Sequence, residues 1–168
     1  MVRFYYLFCI VLCLVSCNRV SPEKYIAATT LNSNQVAVAY GPMFFQELME
    51  LKAKNRLPDE TAVDYVNTRA IQPVTETLER LNSLPETAET KALIDAAREV
   101  MRYGTQVFER DYRDIAGLID TGSTQAEIDA AIDRMYANTA DSMQQKFDHL
   151  DQVALAYAKE HDVALQIR

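Results

Sequence analysis

Between Tyr136 and His161, the residues Tyr136, Ala140, Met143, Phe147, Leu150, Ala154, Tyr157 and His161 follow one another in alternating steps of four and three. A helix turning once per 3.6 residues places all of them on one face. The spacing therefore predicts a long helix with a coiled-coil-like seam, from Thr124 to about Asp162. Thr124 with Glu127 three residues on forms a capping box at its start. Such a helix is stable only against partners that cover the seam, so the rest of the chain must supply them.

Three further helical regions are expected upstream. The first runs from about Pro22 to Lys54, with Ser21 as cap and Pro22 at the first helical position. Its second half carries Met43, Phe44, Phe45, Leu48, Met49 and Leu51. Pro42 lacks an amide hydrogen, so Gly41-Pro42 must bend this region or divide it in two. Asn55 to Asp59 reads as a turn. The second region spans about Glu60 to Asn82, with a stripe of Val63, Val66, Ala70, Val74, Leu78 and Leu81 and a proline, Pro73, inside it. Ser83 with Glu86 has the capping-box pattern, opening a third helix from about Leu84 to Asp120. Its stripe of Leu93, Ala97, Val100, Gly104 and Val107 shifts by one residue and resumes as Phe108, Tyr112, Ile115 and Ile119. Gly122 reads as its stop.

Long amphipathic segments joined by short turns predict an all-α fold, an antiparallel up-down-up-down four-helix bundle with helices 1 and 2 kinked at Pro42 and Pro73. Helices of thirty residues would make it about 45 Å tall. No segment has the alternation of a strand. In the hairpin of helices 1 and 2 the two prolines stand at nearly equal height. Two helices bent at one level open a gap, whose expected lining is Tyr40, Phe44, Val74, Ala97, Met101, Met143 and Phe147.

The N-terminus constrains location. Arg3 is followed by the apolar run Phe4 to Val15 and then by Ser16-Cys17. Twelve helical residues reach about 18 Å, short of a bilayer core of about 30 Å, so the run reads as a secretory signal rather than a span. Leu14-Val15-Ser16-Cys17 resembles the lipobox of bacterial lipoproteins. The resemblance implies that residues 1–16 are removed and that Cys17 is lipidated. Residues 17–21 then form a short tether and 22–168 the helical domain. The resemblance further implies a lipid-anchored protein of the bacterial envelope. Asn18 stands where an aspartate would favour retention at the inner membrane, so an outer-membrane placement facing the periplasm is preferred. Four tether residues reach at most about 14 Å, which keeps the domain against the membrane.

Removal of residues 1–16 takes away Arg3, Cys9 and Cys13, moving the net charge from −7 to −8. An acidic surface disfavours nucleic acid and permits a basic partner. With Cys17 lipidated, the domain has no thiol for a disulfide, and burial of apolar surface must stabilise it.

Chemistry is sparse. The histidines, His149 and His161, are twelve residues apart, about 18 Å along one helix, and neither has the Glu three residues before it that bundle metal sites use. No nucleophile elbow or Gly-rich phosphate loop occurs. No catalytic residue, metal or cofactor is therefore expected. Glu109, Arg110, Asp111, Arg113 and Asp114 read as a solvated helix face, and Tyr65, Tyr103, Tyr112, Tyr136 and Tyr157 as the edge of a core. The expected function is protein–protein interaction at the envelope, as an adaptor, inhibitor or immunity-type binder. The alternative is a small-molecule carrier or sensor using the mid-bundle gap.

Overall fold

The computed structural model describes residues 20–165; the expected signal segment, Cys17 and the first residues of the expected tether lie outside them. Every regular element among the described residues is helical. Helix α1, residues 22–40, runs as Pro22–Ile26, a π-helical turn Ala27–Leu31 and Asn32–Tyr40. Helix α2 is Met43–Ala53. Helix α3, residues 62–82, consists of Ala62–Val66, a π turn Asn67–Ile71 and Gln72–Asn82. Helix α4, residues 91–120, consists of Lys91–Val107, a π turn Phe108–Tyr112 and Arg113–Asp120. Helix α5 is Gln125–Glu160. Helices α3 and α4 pack antiparallel, Ala62–Val66 against Arg113–Asp120 and Gln72–Asn82 against Lys91–Val107. The Lys91–Val107 part of α4 also packs on α1 and α5, so α4 is the helix the others gather around.

The first helical region is broken at Gly41-Pro42 rather than kinked, giving five helices where four were expected. Gly41 is extended at φ −64°, ψ 157°. Pro42 cannot donate to Val38, whose carbonyl instead accepts the Gly41 N–H at 3.3 Å. The next two carbonyls are taken over from outside. Tyr112 Oη donates to Ala39 O at 2.8 Å, and Tyr136 Oη donates to Tyr40 O at 2.9 Å. A break that frees carbonyls is tolerable only when other donors reach them, and α4 and α5 provide both.

At Pro73 the chain stays helical. The π turn before it directs the Gln72 N–H to Asn67 O, five residues back. Pro73 then falls in the first turn of Gln72–Asn82, where a missing N–H costs least. In α1 the π turn is accompanied by buried hydroxyls bonded to nearby carbonyls: Thr29 to Tyr25 O, Thr30 to Ile26 O and Ser33 to Thr29 O. Each satisfies a polar group that the widened turn leaves short of partners. In α4 the π turn coincides with the shift of the apolar stripe at Phe108. One extra residue in the turn rotates the remainder of the helix, and the stripe must move with it.

Two termini have the expected chemistry. Thr124 and Glu127 form the capping box of α5, and Gly122 takes φ 73° after α4. The N–H groups of Ser123 and Gly122 return to Leu118 O and Ile119 O, a Schellman closure. Asn55 at φ 51° closes α2 the same way. The box expected at Ser83 and Glu86 does not form, and α4 starts at Lys91 instead. The Ser83 hydroxyl turns back to Arg80 O at 2.7 Å, while Glu86 pairs with Arg98 at 2.8 Å. Thr87 and Thr90 exchange side-chain bonds in the turn between.

The start of α3 has two caps. Thr61 and Asp64 make a capping box, and Asp120, at the far end of α4, accepts the Ala62 and Val63 N–H groups at 2.8 and 3.1 Å. Burial alone pushes the Asp120 carboxyl up, but these two donors and Lys52 outweigh it and hold it below the usual range. That contribution is present above the unfolded carboxylate pKa and is lost as pH falls through the depressed folded value.

The seam of α5 is buried from Met143 through Phe147, Leu150, Ala154 and Tyr157. Upstream it passes through Thr139 and Met135; Ala140 is exposed and Tyr136 half-buried. Strict alternation of four and three needs supercoiling over its whole length, whereas a straighter helix drifts toward steps of four.

Gly104 marks the closest approach of α1 and α4: a Cβ there would lie 2.6 Å from Val36 Cγ1. Valine is stiff at χ1 and cannot swing away. Gly104→Ala should therefore destabilise, overpacking of about 1–3 kcal/mol exceeding the gain of about 1 kcal/mol in helix propensity. Gly117, also helical, has nothing within 4 Å of such a Cβ, and Gly117→Ala should stabilise by about 0.5–1 kcal/mol. Urea unfolding of the pair should give opposite signs; equal signs would contradict the packing described.

Candidate functional site

Helix α1 is apolar on two faces. Val36 is fully buried against α4, while Leu31 and Val38, seven residues apart and so on one face, are 62% and 78% exposed. Met43, the first residue of α2 after the break, is 61% exposed. These three, with Asn34 and Gln35 between them, form one rim of a groove of about 570 Å³ between α1, α2 and α3. Its floor includes buried Ala39, Phe44, Tyr65 and Val74, and Pro73 stands beside Val74. Of the large apolar residues exposed among the described residues, only Leu155 lies outside it.

The floor is rigid. Phe44 packs edge-on to Phe45 and Tyr65, with centroids 5.4 Å apart in both cases, and lies 5.1 Å from Tyr112. Tyr112 in turn meets Phe45 at 4.6 Å and Phe108 at 4.8 Å. Two charges border the groove, Glu47 and Arg69. Arg69 is held in place, its guanidinium 5.0 Å over the Tyr65 ring and 3.5 Å from the Glu60 carboxylate. Burial pushes the Tyr65 hydroxyl up, and the Glu47 carboxylate adds to the effect. Glu47 thus gives the wall a negative charge close to the floor, with Arg69 already engaged by Glu60.

The seven residues expected to line a mid-bundle gap are divided. Phe44 and Val74 are in the groove floor. Ala97 and Met101 are fully buried, and Met143 and Phe147 join them in the core at 2% and 8% exposure. Tyr40 faces α5, its hydroxyl 2.8 Å from Thr139 Oγ1 and its ring edge-on to Tyr136. The groove therefore opens outward between α1, α2 and α3, not inward at the level of Ala97. Sequence reasoning missed its rim because it read Met43 only as one of the large apolar residues of the first helical region and gave the part of that region before Gly41 no apolar face. The signal was present in Val36 and Val38, two positions apart and hence on opposite faces, in a helix apolar on both.

The charge run on α4 is locally paired: Arg110 makes a two-pronged contact with Asp111, and Arg113 bonds Asn67. The His161 ring packs 4.3 Å from Tyr157. Among the described residues no three His, Cys, Asp or Glu side chains gather as ligands for a metal ion. No helix there is long and apolar enough to cross a membrane. No family model, curated protein or solved structure matches this chain.

Proposed function

We propose that this chain is a bacterial envelope lipoprotein, anchored through Cys17, that works by binding a protein partner in the groove between α1, α2 and α3. One observation carries the reading: Leu31, Val38 and Met43, otherwise costly to leave in water, converge on one opening with a rigid aromatic floor. Apolar clusters of this kind mark interaction surfaces. Counting α1 and α2 as one interrupted leg, the antiparallel packing of α3 on α4 supports the up-down bundle expected from the sequence. The short tether then holds the start of α1 near the membrane surface, outer-membrane and periplasm-facing by the residue after Cys17.

The occupant is an amphipathic helix of a basic envelope protein. An open groove between helices suits the apolar stripe of a partner helix. The excess of acids, 24 against 17 bases, and the charge of Glu47 on the wall complement basic residues flanking such a stripe. Of the seven residues expected to line a small-molecule pocket, Phe44 and Val74 reach this groove, while Ala97, Met101, Met143 and Phe147 are in the core.

The test is capture from envelope extract with the wild type, Val38→Glu and Leu155→Glu. Val38 and Leu155 are both exposed, so neither change should alter the melting temperature appreciably. A basic protein retained by the wild type and Leu155→Glu should be retained at least about tenfold less by Val38→Glu. Equal capture by all three, or a captured protein that is acidic, would refute the groove as its site.

A further inference from the structure

The rim that α1 gives the groove is interrupted by one polar side chain. Leu31, Gln35 and Val38 follow one another in steps of four and three, so Gln35 sits midway between two exposed apolar residues on one helix face. It is half-buried and lines the groove. Its amide is oriented from α3. Thr77 there is 1% exposed, and its hydroxyl oxygen accepts from Arg80 Nη2 at 2.7 Å. A guanidinium only donates, so the Thr77 proton must go elsewhere, and it goes to Gln35 Oε1 at 2.8 Å. The carbonyl end of the amide is thereby turned to α3, and the nitrogen end is left over. Among the described residues nothing accepts from Gln35 Nε2. It is nevertheless not one of their buried side-chain atoms without a partner, which are Thr105 Oγ1 and His161 Nε2, so water reaches it.

A polar residue inside an apolar stripe makes the stripe selective, as a single polar seam residue fixes register in a coiled coil. A wholly apolar helix laid over Gln35 strips water from its N–H groups and returns no acceptor. Turning the amide over gives no relief, because the Thr77 proton then loses its own acceptor. We propose that Gln35 selects the partner: its Nε2 donates to a neutral side-chain oxygen set within the apolar stripe of the bound helix and so fixes the register of that helix. Asn, Gln, Ser and Thr supply such an oxygen. A side chain is required because the backbone carbonyls along a helix are already bonded. A neutral one is required because Glu47 on the α2 wall repels a carboxylate. This inference rests on the reading of the groove as the site of a basic amphipathic helix, and it adds the chemistry by which one such helix is told from another.

The probes are two synthetic helical peptides with a Leu stripe flanked by Lys, identical except for Leu or Asn at one central stripe position. Binding is measured by surface plasmon resonance on the full chain in neutral phosphatidylcholine discs, with empty discs as the reference for peptide that binds lipid. Gln35→Leu leaves the Thr77 hydroxyl without an acceptor, so Gln35→Leu/Thr77→Val, which removes both groups, is measured beside it. From wild type to either variant, the Kd of the Leu peptide divided by that of the Asn peptide should fall at least about tenfold. Val38→Glu, which spoils the groove but keeps Gln35, should weaken both peptides at least about tenfold. If Val38→Glu weakens both peptides while the ratio is the same in wild type and both Gln35 variants, the groove stands and the role of Gln35 is overturned. If neither peptide binds, or Val38→Glu changes neither, the groove reading and the role of Gln35 fall together.

Discussion

Tyr112→Ala should destabilise the fold by about 3–5 kcal/mol, the range for removing a large buried aromatic side chain. That is a large share of the stability of a domain this size. Tyr112 is fully buried and touches Phe44, Phe45 and Phe108, so the floor of the groove collapses with it. Tyr112→Phe separates the ring from the hydroxyl. The ring contacts stay, but Ala39 O, left without a helical partner by Gly41-Pro42, loses its donor. A buried acceptor left unsatisfied costs about 1–3 kcal/mol. Tyr136→Phe, at a half-buried residue where water can replace the hydroxyl, should cost less. Burial, then the neighbouring Tyr136, push the Tyr112 hydroxyl far above the usual tyrosine range. A group with a raised folded pKa contributes stability fully below its unfolded value, near pH ~10, and loses it as pH rises further. Wild-type protein should therefore lose stability above about pH 10, and Tyr112→Phe should show a shallower decline. Urea midpoints from neutral to strongly alkaline pH measure both effects. A Tyr112→Phe variant as stable as wild type would mean that the broken end of α1 does not rely on this donor.

What could be read from the chain was whatever a few neighbouring residues decide. Thr124 with Glu127 and Gly122 after Asp120 are complete local instructions, and both ends form as expected. The stripe shift at Phe108 was legible as a slip in period, and the π turn is its physical form. The outcome at Gly41-Pro42 was not legible. It depends on Tyr112 and Tyr136, whose hydroxyls arrive from 73 and 96 residues along the chain. Ser83 and Glu86 failed for a related reason: Arg98 and Lys91 compete for the glutamate. In the seam of α5, Thr139 holds a core position because its hydroxyl is satisfied by Met135 O and stands beside Tyr40, which a search for apolar residues passes over. Of the groove, the sequence indicated the neighbourhood of the two prolines and two of the floor residues. The rim depends on which side of α1 meets α4, and the contact between Val36 and Gly104 decides that.

Cys17→Ala should abolish palmitate incorporation and release the helical body to the soluble fraction with its melting curve unchanged. Residues 14–17 lie outside the described part of the chain, and the expectation rests on the thermodynamics of acyl chains. Each buried methylene contributes about 0.8 kcal/mol to membrane binding, yet one acyl chain holds a protein only marginally. Stable anchoring needs at least two chains, which the proposed lipoprotein processing would place on Cys17. No substitute is visible in the body: no described helix can span a bilayer, and the net charge, −7 for the full chain and −8 without Arg3 and the rest of residues 1–16, repels anionic lipid. Under the lipoprotein reading, retention of the processed chain rests on one sulfur atom, and its removal should shift the protein nearly completely from membrane to soluble fractions. The fold should not respond, because α1 starts at Pro22 with its first bonds returning to Ser21 O, downstream of the substitution. Radiolabelled palmitate, fractionation and thermal melting of the two proteins test the three parts separately. Continued labelling of Cys17→Ala would remove the lipoprotein reading. Lost labelling with undiminished membrane retention would instead place the anchor elsewhere in the chain.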